Sequence, residues 1–113
     1  MSEATLRDIG EDKSLLIVDD DEPFLRRLAR AMEKRGFEVE TAETVVAGTA
    51  IATARPPAYA VIDLRLGDGN GLDVVERIRE RRNDSRVDVL TGYGAIATAV
   101  AAVKIGATDY LSK

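Results

Sequence analysis

Tyr59 to Gly71 reads Y-A-V-I-D-L-R-L-G-D-G-N-G, and the fold of the chain turns on it. A short apolar run, Ala60, Val61 and Ile62, ends on Asp63, and a glycine-rich turn follows at once. An apolar run of that length between turn residues reads as a fully buried strand. Asp63 then stands at the carboxyl end of a central strand, where open α/β sheets place their ligands. An aspartate that merely closes a strand and starts a turn would look the same locally. The rest of the chain has to decide.

Toward the N-terminus, Ser14 to Asp19 (S-L-L-I-V-D) is a first buried strand. The run D-D-D-E-P, Asp19 to Pro23, leads into a helix with an apolar stripe of Leu25, Leu28, Ala29 and Met32, and Gly36 ends it. Glu38 to Thr41 alternates in polarity like an edge strand. Thr44 to Arg55 is a helix opened by a threonine cap and stopped by Pro56-Pro57. Gly48 inside it costs about 1 kcal/mol relative to alanine, which predicts the softest helix of the chain. Toward the C-terminus, Leu72 to Arg82 is a helix with Leu72, Val75, Ile78 and Arg79 on one face. Arg86 to Leu90 is a fourth strand leading to Thr91, Ala95 to Ile105 a fourth helix, and Thr108 to Ser112 a fifth strand leading to Lys113. This alternation predicts a doubly wound five-stranded parallel sheet with helices on both faces. Met1 to Lys13, polar and without period, reads as a flexible leader.

A fifth strand in such a sheet normally feeds a helix that packs back onto it. None follows here, so residues 14–113 are expected to be a domain cut short within a longer chain. One sheet face would be partly bared, and self-association is the expected way of covering it.

Composition bounds the chemistry. The length suits one domain, and 45% hydrophobic with 32% charged residues suits a globular one. No apolar run approaches the ~20 residues of a membrane span, and the N-terminus is too polar for a signal peptide, so no membrane contact and a cytoplasmic location are expected. With no cysteine and no histidine, thiolate and imidazole chemistry are absent from this chain. A net charge of -4 argues against direct nucleic-acid binding. The basic residues of the first helix (Arg26, Arg27, Arg30, Lys34, Arg35) and third (Arg77, Arg79, Arg81, Arg82) read mostly as solvated faces with cations toward helix C-termini.

Two strands end in carboxylates, the first at Asp19-Asp20 and the third at Asp63. In a sheet of order 2-1-3-4-5 these strands are neighbours at the point where chain direction switches. Three carboxylates held together repel, and a hard divalent cation such as magnesium resolves the conflict while still accepting phosphate oxygens. Thr91 and Lys113 bring a hydroxyl and an ammonium to the same rim. A carboxylate nucleophile, a metal site, a hydroxyl and a positive point charge are what phosphoryl transfer needs. Asp21 and Glu22 read first as a cap and a dipole partner of the first helix.

The pieces L-L-I-V-D-D-D-E, V-I-D-L-R-L-G-D-G-N-G-L, V-L-T-G-Y-G and G-A-T-D-Y-L-S-K occur in order and suitably spaced. With them the chain resembles the receiver domain of bacterial two-component response regulators, a flavodoxin-like (CheY-like) fold, from about Ser14 to Lys113. The wording of L-T-G-Y-G-A-I-A-T-A-V-A-A-V-K-I-G-A-T-D-Y-L is similar to the RegA/PrrA/ActR group of redox-responsive transcriptional regulators. The resemblance implies that Asp63 accepts a phosphoryl group from the phosphohistidine of a sensor histidine kinase. Asp19, Asp20, Asp63 and the backbone carbonyl of Arg65 would hold Mg2+. Thr91 and Lys113 would grip the phosphoryl oxygens, and Thr91 and Tyr110 would form the switch. The chain would not be an enzyme, and DNA would be reached only through a C-terminal domain beyond it.

Departures from the family pattern carry expectations too. Gly67 stands where a proline is usual, which predicts a more mobile loop. Asp88 falls inside the fourth strand and must be paired, outward-facing or destabilising. Arg65 and Tyr93 flank the path of hydrolytic water and, being bulky, predict slow loss of the phosphoryl group. The fourth helix, without charge before Lys104, is either deeply buried or a partner surface. A receiver acting alone as adaptor or relay is a second reading. A magnesium phosphohydrolase of the haloacid dehalogenase type is a third, because Asp19-x-Asp21 mimics its D-x-D motif.

Overall fold

Apolar β-runs alternating with helical stripes fold as their periodicity demands. The computed structural model describes residues 11–92 and 96–112. In chain order the elements are β1 (Ser14–Val18), α1 (Glu22–Lys34), β2 (Glu38–Ala42), α2 (Val45–Ala54), β3 (Tyr59–Asp63), β4 (Arg65–Leu66), β5 (Gly69–Asn70), α3 (Leu72–Arg81), β6 (Arg86–Thr91), α4 (Ile96–Lys104) and β7 (Asp109–Ser112). Five strands form one sheet in the order β2-β1-β3-β6-β7, every pair parallel. Counting sheet strands alone, that is the expected 2-1-3-4-5. Four helices are present among the described residues, and none of them is long and apolar enough to cross a membrane.

Successive strand residues point to opposite faces, and each face carries a buried cluster. On one, Leu16, Val18, Ala60, Ile62, Val87 and Val89 pack with Ala52 of α2, Val74, Val75 and Ile78 of α3, and Ala102 of α4. On the other, Leu15, Ile17, Tyr59, Val61 and Leu90 pack with Leu25 and Met32 of α1 and with Phe37, whose ring meets Tyr59 edge-on at 5.2 Å. The lack of a last helix bares this second face only in part: Phe24, Leu28, Ala29 and Leu111 stay half-buried at its margin. Leu15, Ile17, Val61 and Leu90 are all buried, because α1 and Phe37 lie over β1 and β3 while Leu111 flanks Leu90. The large apolar side chains that do reach solvent among the described residues are Val46, Val100, Val103 and Tyr110.

Helix ends follow the cap chemistry. Asp21 caps α1, its carboxylate accepting the Phe24 N–H at 3.2 Å, and the chain leaves α1 through Gly36 at φ +99°. Thr44 caps α2 by accepting the Ala47 N–H at 3.0 Å. The stripe expected on α3 is too narrow: Val74 is also fully buried, because α3 packs against α2 as well as the sheet. Arg79, expected on that inward face, instead works by hydrogen bonding. It donates to the carbonyls of Gly106 at 2.5 Å and Asn83 at 3.0 Å and to Thr108 Oγ1 at 3.3 Å, tying α3 to the turn between α4 and β7. Asp88 faces inward and is buried, which removes the outward-facing option. On α4, Ala99 and Ala102 are buried whereas Val100 and Val103 are exposed, so deep burial does not account for its lack of charge.

Gly48 is more than a soft spot. A Cβ built on it would lie 3.0 Å from Val18 Cγ2 and 3.3 Å from Val74 Cγ2, and both valines are fully buried with no room to retreat. Gly48→Ala is expected to lower stability by about 1 kcal/mol, overpacking outweighing the gain in helix propensity. Urea denaturation with an unchanged slope measures it, and a gain in stability would show that the valines yield.

Candidate functional site

Parallel pairing of β1 with β3 sets Val18 beside Ile62, so the next residue of each strand, Asp19 and Asp63, emerges side by side at the carboxyl end of the sheet. Asp19 and Asp63 are buried and Asp20 is exposed. One carboxylate oxygen from each of the three lies within 4.8 Å of the others. Local hydrogen bonds aim two of them: Asp19 Oδ1 accepts the Asp21 N–H and Asp63 Oδ1 accepts the Arg65 N–H, both at 2.9 Å. Two like charges about 5 Å apart at an effective dielectric of about 20 repel by about 3 kcal/mol. A set of hard oxygen donors gathered against that repulsion fits a hard divalent cation.

The loop after Asp63 is ordered as a hairpin. β4 and β5 pair antiparallel, Arg65 with Asn70 and Leu66 with Gly69, around the two-residue turn Gly67-Asp68. Gly67, expected to loosen this loop, is the first residue of that turn. A Gly-Asp pair such as Gly67-Asp68 is a hairpin signal, yet two-residue strands are too short to show a period. The Asp68 carboxylate accepts the N–H groups of Val45 at 2.8 Å and Val46 at 3.2 Å, and these bonds hold its pKa below the usual carboxylate range. Asn70 Oδ1 accepts the Leu72 N–H at 2.9 Å and starts α3. Gly71 lies directly under the site, where any Cβ would run into the carbonyl oxygen of Asp63. Asp20, Asp21, Asp63, Arg65, Leu66, Gly67 and Gly92 line an open cleft above the carboxylates.

Thr91 ends β6 and is buried, with its hydroxyl donating to the Leu111 carbonyl of β7 at 3.3 Å. Tyr110 on β7 is 45% exposed and turned out of the core. Asp19, Asp20, Asp63, Arg65 and Thr91 thus meet at one end of the sheet, while Lys113 and Tyr93 lie outside the described residues. Asp68 and its partners on α2 were missed from sequence. They are 22 and 23 residues apart, and no local pattern marks such a pair.

Residues 15–113 match the response regulator receiver domain. The chain belongs to that family. This receiver is 81% identical over 106 residues to the photosynthetic apparatus regulatory protein RegA of Rhodovulum sulfidophilum, covering 94% of this chain and 58% of that protein. It is 73% identical over 105 residues to the acid tolerance regulatory protein ActR of Sinorhizobium medicae, covering 93% of this chain and 54% of that protein. The chain thus spans little more than half the length of these two relatives. Among solved structures, it superimposes at a TM-score of 0.84 and 42% identity on a response regulator of Burkholderia pseudomallei with a phosphorylated aspartic acid, calcium ion and citrate. That superposition covers 90% of this chain and 60% of the other. It also matches the beryllofluoride-activated NtrC4 receiver domain dimer at a TM-score of 0.80 and 35% identity, covering 89% and 84% of the two chains. What the comparisons establish is a response regulator receiver domain, similar in sequence to the receiver portions of RegA and ActR.

Proposed function

We propose that this receiver accepts a phosphoryl group on Asp63 from the phosphohistidine of a sensor histidine kinase and thereby controls a DNA-binding output carried elsewhere in a longer chain. Residues 14–113 are the receiver and residues 1–13 a leader. The observation that carries the reading is the triad of Asp19, Asp20 and Asp63, with oxygens within 4.8 Å and Asp63 aimed by the Arg65 N–H. A carboxylate oxygen of Asp63 attacks phosphorus as the phosphorus–nitrogen bond to the kinase imidazole breaks. The bonding pair stays on that nitrogen, which takes a proton from water, and an acyl phosphate remains on Asp63. Asp19, Asp20, Asp63 and the Arg65 backbone carbonyl hold Mg2+, which when bound offsets the negative charge of carboxylates and phosphoryl oxygens. The calcium ion of the Burkholderia pseudomallei structure supports a hard cation in this role.

Thr91 and Lys113 then hold phosphoryl oxygens, and Tyr110 turns inward as Thr91 moves. Thr91 gives up one hydrogen bond, to the Leu111 carbonyl, in doing so. A bond of that kind contributes about 1 kcal/mol net, small enough for phosphorylation to overcome. The exposed Val100, Val103 and Tyr110 on α4 and β7 form the face that self-association would use. The dimer of the NtrC4 receiver is in keeping with this. The hydrolase reading is weakened because Asp21, the second aspartate of its motif, is engaged in capping α1. Redox response rests on the likeness to the RegA group, and a cytoplasmic location goes with the kinase and DNA partners.

The test is intact mass after incubation with acetyl phosphate, with Mg2+ or with a chelator. One phosphoryl adduct, dependent on Mg2+ and mapped by peptide sequencing to Asp63, is the expected result. An adduct elsewhere, or none in the full-length protein, would overturn the assignment.

A further inference from the structure

The loop that carries the phosphoacceptor contains little to hold itself in shape. Gly67, Gly69 and Gly71 give it high backbone entropy. Its hairpin has two residues per strand, and of the six residues from Arg65 to Asn70 only Leu66 is buried. A hairpin of that size is marginal in water and needs support from outside. The support comes from α2. That helix has no acidic residue in its first turn, and Thr44 serves the N–H of Ala47, so the N–H groups of Val45 and Val46 need another acceptor. Asp68, at the tip of the hairpin, takes both. At the base of the same hairpin, the Arg65 N–H is spent on Asp63 Oδ1. A continuous set of hydrogen bonds therefore joins the first turn of α2 to the phosphoacceptor.

We propose that Asp68 is a positioning residue for the Asp63 site: it clasps the β4–β5 hairpin to α2 and so fixes the Arg65 backbone against which Asp63 and its cation are set. The proposal rests on the reading of Asp63 as a cation-assisted phosphoacceptor. Reciprocity follows from linkage. A clasp that favours the cation-ready loop must itself be tightened by the cation, and by the same factor.

The experiment compares parent, Asp68→Ala and Asp68→Asn in the full-length protein. Three quantities are followed: amide exchange at Val45 and Val46, Mg2+ affinity by calorimetry, and phosphorylation by acetyl phosphate across an Mg2+ series. Asp68→Ala is expected to speed exchange at both amides and to weaken Mg2+ binding about 10-fold. Phosphorylation should be slow at limiting Mg2+ and recover at saturation, which general structural damage would not produce. Asp68→Asn keeps one acceptor oxygen and should fall between. Mg2+ should slow exchange at Val45 and Val46 in the parent and not in Asp68→Ala. Unchanged exchange in Asp68→Ala would show there is no clasp. Faster exchange with Mg2+ affinity unchanged within about twofold would show that the clasp does not position the site. A parent that neither binds Mg2+ nor forms the adduct would overturn the underlying site reading and the role of Asp68 with it.

Discussion

Asp63→Asn is expected to abolish the phosphoryl adduct completely while raising the melting temperature in metal-free buffer. Asparagine matches aspartate in shape, and its side-chain oxygen can still accept the Arg65 N–H that aims Asp63. An amide has no anionic oxygen to attack phosphorus, so chemistry stops while the loop stays in place. The stability effect has the opposite sign. Asp63 lies with Asp19 and Asp20 inside a 4.8 Å cluster, and two of the three are buried. Removing one charge relieves repulsion of about 3 kcal/mol per close pair before solvent screening. A net gain of about 1 kcal/mol, worth about 4 °C in a domain of this size, is the expected remainder. Adding Mg2+ should then raise the melting temperature of the parent more than that of the variant, because the variant offers one fewer anionic ligand. Calorimetric melts with and without Mg2+, beside intact mass, check both halves. An adduct on the variant, or a lower metal-free melting temperature, would contradict the site as described.

Gly71→Ala should be severely damaging for a single methyl group. Its φ of -59° suits any residue, so backbone conformation is not the issue. The difficulty is space. The new Cβ would collide with the Asp63 carbonyl oxygen and approach Ile62 Cγ2 at 2.9 Å, and both belong to the central strand. Backbone cannot swing aside as a side-chain tip can, so α3 must retreat from β3. That is expected to cost at least about 3 kcal/mol, a large share of a small domain's stability. A shift of about 1 Å at the end of β3 would also slow phosphorylation about 100-fold. Gly67→Ala is the control. A Cβ there meets nothing closer than Asp20 Oδ2 at 3.9 Å, an ordinary contact, and should change stability by less than about 0.5 kcal/mol. Thermal melts of the two variants side by side decide whether glycine is needed at Gly71 for space.

The sheet and the acidic triad were legible in the sequence for one reason. Buried parallel strands are short apolar runs, and whatever follows such a run sits at the rim where ligands bind. Ser14 to Val18 and Tyr59 to Asp63 needed no distant information to be read. What escaped depends on partners far along the chain. The need for glycine at Gly48 is set by Val18 and Val74, and the role of Asp68 by Val45 and Val46. How much of the second face stays covered was not legible either, because counting helices says nothing of how far α1 and Phe37 reach across β1 and β3.

The alanines of α4 bear on how readily this receiver changes state. Among its described side chains the buried ones are Ala99 and Ala102, too short to lock into grooves on the sheet. Little apolar surface is lost when such alanines slide or rotate over the sheet, so a low local opening free energy is the expectation, and amide exchange along α4 measures it. At its far end the turn into β7 is clamped by Arg79 through the Gly106 carbonyl and Thr108 Oγ1. Low friction along the shaft and a fixed joint at one end are the attributes of a lever with its fulcrum at Gly106. Tyr110 and Leu111 follow immediately beyond that joint. In the switch proposed above, small forces arising near Thr91 would be delivered as displacement of the valine-bearing surface, without melting any of the sheet beneath.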